Sequence, residues 1–470
     1  MVFSSLLFIF VFLPINLILY YIIKPREWKN GVLIVSSLVF YAWGEPLWVI
    51  LLLFSSVVDF FHGKIAERYR GKWQAKGALL SSLIINLGLL VTFKYSGMIV
   101  DSFNALTGLH FVFNGFLLPI GISFYTFQTI SYVFDVYRGE VKAQKSFFKF
   151  LMFVSLFHQL VAGPIVRYKD IAHEIEHRVF DKNTFALGIE RFIFGLGKKV
   201  IFANTAGEIG RTFLEGDFGR MSMAGHWIGM LMFAFQIYFD FSGYSDMAIG
   251  LGKMFGFTYK ENFNYPYVSR SATEFWRRWH ISLGSFFRDY LYIPLGGNRK
   301  YHIRNILVVW FLTGLWHGAS WNFVLWGLYY GILLIVEKGL SNYISFKKVP
   351  KIFGHIYLFV VTIFGWTLFY FEDLTEGLTY MKGLVNIGFI WDTSAEIVLM
   401  NNLFFIVLAS ICATPILKTL GIKISNMMNG GKISKVYEYV IYPFGLIAIF
   451  IGTFILLVGQ SYNPFLYFRF

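Results

Sequence analysis

Residues 305–331, NILVVWFLTGLWHGASWNFVLWGLYYG, read as two apolar helices joined by a short polar elbow, and the elbow carries one histidine, His317. The nearest upstream cation is Arg304, thirteen positions back. At a rise of roughly 1.5 Å per residue, an unbroken helix carries His317 about 20 Å from that anchor, deep into a hydrocarbon core about 30 Å thick. An ionisable side chain at such depth is expensive, which makes His317 the first candidate for a functional group.

The rest of the chain supports a membrane setting. Of its 470 residues, 56% are hydrophobic and only 14% are charged, where a soluble protein carries about a quarter charged residues. Repeated apolar runs predict an all-α polytopic membrane protein with about 11–12 transmembrane helices, in one membrane-embedded domain spanning 1–470. The alternating segments of a β-barrel are absent. The lone Cys412 excludes a disulfide framework and a cysteine-ligated metal. A net charge of +14 follows from basic cytoplasmic loops, with no call on nucleic acid. The first run, MVFSSLLFIFVFLPINLILYYIIK, lacks a basic leader and reads as a retained first helix.

Charge placement orients the chain. Lys24, Arg26 and Lys29 place the first connection inside, as do the five cations between Lys64 and Lys76, and Lys338, Lys347, Lys348 and Lys351. Lys418, Lys423, Lys432 and Lys435 mark another inner loop. Helices are expected near 32–43, 47–62, 78–95, 116–137, 185–204, 224–252, 352–371, 398–417 and 440–458. The run 147–166 is read as a re-entrant segment broken at Gly163-Pro164, because a full crossing would put the basic stretch 253–304 outside. That stretch holds nine Lys or Arg against three Asp or Glu. Within it, SATEFWRRWHISLGSFFRDYLYIPLGGNRK (271–300) reads as an interfacial helix capped by Ser271 or Thr273, or else as an ordinary basic loop.

The sequence has no P-loop, no GxSxG elbow, no HExxH and no zinc spacing. His173 and His177, among Glu174 and Glu176, fit a solvated helix face. His158, His280 and His317 lie in apolar surroundings. His317 has two readings: a buried ring bonded to a carbonyl or to Asn322, or a general base. Trp316, Trp321 and Trp326 supply a dry wall, and Gly314 and Gly318 let backbone or substrate approach. Neutral imidazole, with a pKa of about 6.5, suits proton abstraction. Asp240 and Asp246 are six positions apart and do not share a helix face, so buried hydrogen bonding or cavity lining is expected of each.

The runs LPIGISFYTFQ (118–128), QLVAGPIVRY (159–168), YFDFSGYSDMAIG (238–250), EFWRRWHISL (274–283), RDYLYIPLGGNR (288–299) and LWHGASWNF (315–323) resemble the bacterial alginate O-acetyltransferase branch of the membrane-bound O-acyltransferase family. The likeness extends to the terminal YNPFLYFRF, with one departure, His158 where the family pattern has proline. The resemblance implies a bundle with re-entrant and interfacial helices around a funnel and channel, in a bacterial cytoplasmic membrane. It carries the essential histidine to His317 and the upstream one to His280. It implies no bound cofactor or metal, and acetyl-CoA or another acyl thioester, free or on a carrier protein, as a cytoplasmic donor. The acceptor is then a hydroxyl on a secreted polysaccharide or cell-wall glycan, often with an extracytoplasmic partner transferase of SGNH-hydrolase-like fold. Arg277, Arg278, Arg288 and Arg299 are the expected donor-binding cations. Asp240, Asp246, Trp316, Trp321 and Asn322 are the expected cavity lining. D-alanyl transfer from a carrier protein to teichoic acid, a transporter without bond chemistry, and a structural scaffold are the other readings.

Overall fold

The 305–331 stretch folds as the hairpin its pattern predicts, with helices His302–His317 and Trp321–Leu340 joined by residues 318–320. The pair is close because its glycines leave no room for side chains. A Cβ on Gly314 would stand 2.3 Å from the Phe323 carbonyl oxygen, and one on Gly327 would stand 2.2 Å from that of Trp310. The Phe323 ring fills the space over Gly318 in the same way. The glycines expected to admit backbone or substrate therefore admit the chain's own Phe323.

The computed structural model describes residues 1–160, 163–341, 350–427, 435–459, 463, 465 and 466. Lys347, Lys348 and Lys432 of the expected inner loops, and Val161 and Ala162 of the expected re-entrant run, lie outside the described residues, as does most of the YNPFLYFRF terminus. In chain order the main helices are α1 (Phe8–Ile22), α2 (Arg26–Gly44), α3 (Val49–Arg68), α4 (Trp73–Thr107), α5 (Ile122–Arg138), α6 (Phe147–Ser155), α7 (Phe157–Leu160) and α8 (Tyr168–His177). There follow α9 (Lys182–Gly197), α10 (Thr205–Leu214), α11 (Met223–Met254), α12 (Ala272–Arg278), α13 (Ile281–Phe287) and the hairpin α14 and α15. The last are α16 (Lys351–Tyr370), α17 (Leu374–Leu384), α18 (Thr393–Cys412), α19 (Ile416–Met427) and α20 (Tyr437–Gly459). Among the described residues there is no strand, as expected of an all-α membrane protein. Among the described residues six helices, α3, α4, α15, α16, α18 and α20, are long and apolar enough to cross a bilayer on their own.

By contact the chain divides into two units, Met1–Phe192 with Tyr244–Glu261, and Ile193–Gly243 with Asn262–Phe470. In the first, the expected helix near 116–137 starts only at Ile122, after Gly121 in a left-handed turn. The 147–166 run holds no unbroken membrane-length helix. Leu156 leaves the helical region at φ −42°, ψ 115°, so the break comes seven residues before the expected Gly163-Pro164. The nine residues of α6 rise only about 14 Å. His158 on α7 is fully buried and shares a 2.5 Å hydrogen bond between Nδ1 and the Tyr259 hydroxyl. His173 and His177 are exposed on α8, the solvated helix face expected of them, and among the described residues no group of His, Cys, Asp and Glu has a metal-binding arrangement.

In the second unit the arginine-rich 271–300 stretch is not one helix. It is two helices, α12 and α13, broken at Trp279 and His280, with His280 in the left-handed region at φ 44°, ψ 55° and α13 running on as a π-helical turn from Arg288 to Tyr292. Ser271 caps α12 as expected, its Oγ accepting the Glu274 N–H at 3.1 Å. Glu337 of α15 adds a second cap. Its carboxylate accepts the N–H groups of Ala272 (2.6 Å) and Thr273 (2.9 Å), the Thr273 hydroxyl (2.6 Å) and the Tyr357 hydroxyl (3.1 Å). A carboxylate at a helix N-terminus satisfies orphan donors and complements the helix dipole. The core of this unit is aromatic, with Trp326, Trp366, Tyr330 and Tyr380 all almost fully buried.

Candidate active site

His317 is the last residue of α14, placed there because Gly318 turns to extended backbone and ends the helix. Its ring stands among aromatic faces, with centroids 5.0 Å from Trp316, 5.0 Å from Trp326 and 5.2 Å from Phe369. The imidazole borders a small cavity of about 20 Å³, walled also by Asp240, Trp279, Trp326, Trp366 and Phe369. That space suits roughly one water or one hydroxyl. The Trp326 indole N–H, on the same wall, is buried with no acceptor among the described residues.

Asp240 brings a charge to this wall, and a residue that sequence reading missed answers it. Lys199 Nζ lies 2.8 Å from Asp240 Oδ1, and the second carboxylate oxygen accepts the Leu466 N–H at 2.9 Å. Lys199 sits in a π-helical turn, Lys198–Asn204, a local widening that recurs at functional positions. The signal was a lysine pair inside an apolar run, but its partner is 41 positions away and nothing local announces it.

His280 is 2% exposed and is held by Asn262. Asn262 Oδ1 accepts the Ser282 backbone N–H (3.1 Å) and hydroxyl (2.9 Å), and His280 Nδ1 lies 3.2 Å away. Because a backbone N–H only donates, that atom is the amide oxygen, so His280 Nδ1 carries the proton and Nε2 is the basic nitrogen. Burial pushes the His280 pKa down to about 3, which keeps the ring neutral. Trp316 touches both histidines, with its ring centroid 5.8 Å from His280 and 5.0 Å from His317. The unit thus brings the two histidines of the sequence reading to one tryptophan.

The other expected site residues divide. Of the five cavity candidates, Asp240 alone borders this cavity. Trp316 lies behind it, against both imidazoles. Trp321 is 54% exposed. Asn322 Nδ2 donates to the Phe371 carbonyl at 2.7 Å and to that of Leu368 at 3.3 Å, capping the end of α16. It therefore does not bond His317 through that amide group. Asp246 belongs to the first unit, where Arg191 holds it at 2.7 Å and also meets Glu261 at 2.5 Å. Among the arginines, Arg278 is paired with Glu274 at 3.0 Å and Arg288 with Asp289 at 2.7 Å, while Arg277 and Arg299 are exposed.

Comparison with known proteins identifies the family. Residues 140–375 match the model of MBOAT, the membrane-bound O-acyltransferase family. A protein of Azotobacter vinelandii named "Probable alginate O-acetylase AlgI" is 41% identical over 397 residues, covering 83% of this chain and 79% of its own length. One of the same name from Pseudomonas putida is 37% identical over 496 residues, covering the whole of both chains. The "Peptidoglycan O-acetyltransferase" of Helicobacter pylori is 34% identical over 440 residues, covering 83% of this chain and 80% of its own. The chain is an O-acyltransferase, a multi-pass membrane protein that belongs to the membrane-bound O-acyltransferase family.

Proposed function

We propose that this O-acyltransferase passes an acetyl group from a cytoplasmic thioester to a hydroxyl outside the membrane, on a polysaccharide, a cell-wall glycan or an extracytoplasmic partner transferase of SGNH-hydrolase-like fold. The whole chain acts as one membrane-embedded domain in a bacterial cytoplasmic membrane. The relatives named for acetylation of alginate and of peptidoglycan support an acetyl group and a glycan acceptor. The observation that carries the reading is the placement of His317 at a helix end, bordering a dry aromatic cavity beside the Asp240 carboxylate.

In this reading His317 takes the proton of the acceptor hydroxyl as its oxygen attacks the thioester carbonyl. The C–S bond then breaks, and a thiolate leaves. A thiol with a pKa near 8.5 needs little help from an acid, so one base suffices. The Trp326 N–H supplies a donor for the carbonyl oxygen as it gains charge. His280, neutral and fixed by Asn262, orients the donor. Arg277 and Arg299, exposed and outside any ion pair among the described residues, are the arginines best placed to meet donor phosphates. The cavity matches a hydroxyl in size, and the thioester carbonyl reaches it by displacing wall side chains.

The test is His317→Ala, assayed in membranes holding normal amounts of protein with acetyl-CoA as donor. Release of free thiol and glycan acetylation should both fall about 10²–10⁴-fold, the share a general base supplies. Acetylation at the unmodified rate would remove the base role, and transfer of D-alanine instead of acetate by the unmodified protein would move the substrate to the D-alanyl alternative.

A further inference from the structure

The first unit contains a second, larger opening that the acyl-transfer reading does not use. It is a cleft of about 310 Å³ between the end of α1, the start of α2, the end of α8 and the turn after α11. That volume equals roughly ten waters of liquid. Five cations face it, Lys24, Arg26, Lys29, Arg178 and Lys253, against two carboxylates, Glu174 and Asp181. Asp181 is already engaged, since it accepts the Thr184 N–H at 2.8 Å and hydroxyl at 2.6 Å. Tyr20, Tyr21, Phe180 and Phe255 make the rest of the wall aromatic.

The cations are held in place without being neutralised. Arg178 donates through Nε to the Tyr20 hydroxyl at 3.2 Å, through Nη1 to the Glu174 carbonyl at 3.1 Å, and through Nη2 to the Asn30 side chain, with its plane 4.6 Å over the Phe257 ring. Those three bonds use three of its five N–H groups and leave one on each Nη. Tyr20 in turn is fixed by donating to the Phe255 carbonyl at 2.9 Å. Lys29 Nζ stands 4.9 Å from the Tyr20 ring centroid and 5.6 Å from that of Tyr21. Among the described residues, no carboxylate oxygen lies within 4 Å of the charged nitrogens of Lys24, Lys29, Arg178 or Lys253. Partial burial, and after it the nearby Arg178 charge, pull the Lys29 pKa below its ordinary value.

A recess lined by uncompensated cations with low-dielectric aromatic walls concentrates anions. Arginine N–H pairs and lysine ammonium groups suit phosphate oxygens, and tyrosine and phenylalanine faces suit an apolar neighbour. Val179 and Phe180 of its lining are exposed, as an amphiphile would require. We propose that this cleft binds the phosphate-bearing head of an anionic amphiphile, with the phosphate on Lys29 and Arg178 and its apolar part along Tyr21 and Phe180. Two sources share that chemistry: a membrane phospholipid, and the phosphates of a nucleotide-bearing thioester. The site stands whether or not His317 is a base.

The test uses the full-length protein purified in an uncharged detergent. The thermal unfolding midpoint is followed while dioctanoyl phosphatidylglycerol, dioctanoyl phosphatidylcholine or coenzyme A is titrated in. The wild-type protein should show a saturable upward shift with phosphatidylglycerol, with coenzyme A or with both, and little with zwitterionic phosphatidylcholine. A response to phosphatidylglycerol alone that Lys29→Gln weakens assigns the lipid to the cleft, and a response to coenzyme A alone that Lys29→Gln weakens assigns the nucleotide, because coenzyme A held at Arg277 and Arg299 would be indifferent to Lys29. Lys29→Gln should weaken half-saturation at least tenfold while its ligand-free midpoint stays at the wild-type value. Lys24→Gln, at an exposed position, gives a second reading if Lys29→Gln lowers that midpoint. Absence of any saturable shift, or wild-type half-saturation in both variants, overturns the proposal.

Discussion

A lysine and an aspartate meet 2.8 Å apart away from bulk solvent, since Lys199 and Asp240 side chains are each no more than 3% exposed. Desolvating both charges is costly, and their attraction together with the Leu466 N–H repays it only while both are present. Removing one partner therefore hurts more than removing both. Lys199→Met or Asp240→Asn alone should cost about 3–5 kcal/mol of stability and lower the unfolding midpoint, whereas Lys199→Met with Asp240→Leu should recover most of it. Intrinsic fluorescence of the purified variants on heating measures this directly. If the double variant is as unstable as the sum of the singles, the two side chains do not act as a charge pair. The double variant also asks what Asp240 does at the cavity, because it separates stability from acyl transfer. Neither this pair nor the Asn262 clamp on His280 was legible beforehand. Each joins residues 18 to 41 positions apart with no shared period, and only the tertiary structure supplies the partner. His317 was legible because depth in an apolar run can be counted from one cation.

The hairpin α14–α15 followed from its pattern, but the element carrying His280 did not. Aromatics and arginines alternate through 274–288 without Gly or Pro at the break, so the local signals favour one continuous helix. A left-handed residue without glycine costs roughly 1–2 kcal/mol, and here the surroundings impose it. Ile281 N–H donates to the Asn262 carbonyl at 2.9 Å, and Asn264 N–H donates to the Arg278 carbonyl at 2.9 Å, locking the turn from the preceding segment. At the other end, Glu337 ties α12 to the hairpin through three of the bonds it accepts, the fourth coming from Tyr357 of α16. Glu337→Ala strands two buried N–H groups at the start of α12, each worth about 1–3 kcal/mol if left unsatisfied. The expected result is a lower unfolding midpoint and a fall in acyl transfer, with Glu337→Gln intermediate because its amide still offers an oxygen. A Glu337→Ala protein with wild-type midpoint and activity would mean that Ser271 alone suffices to set α12.

At the scale of the whole chain, one question decides which face of the membrane receives the donor: whether the run 147–166 crosses or turns back. Counting crossings by charge, a turn leaves the basic stretch 253–304 on the cytoplasmic side, and a crossing moves it outside. The helix geometry favours a turn, because α6 ends at Leu156 after nine residues, α7 has four, and every side chain from Phe150 to Leu160 is buried by protein. Irregular backbone at membrane depth is tolerated under just that cover. The single cysteine makes the matter testable. On a Cys412→Ser background, Lys300→Cys at an exposed position should react with a membrane-impermeant maleimide only after the cells are opened. Lys72→Cys, in the strongly basic loop, gives the inner control, and Asp217→Cys, between α10 and α11, should label in intact cells. If instead Lys300→Cys labels in intact cells and Asp217→Cys only in opened ones, the run crosses. Arg277 and Arg299 would then face away from any cytoplasmic thioester, and their proposed part in donor binding would have to be given up even though His317 kept its place.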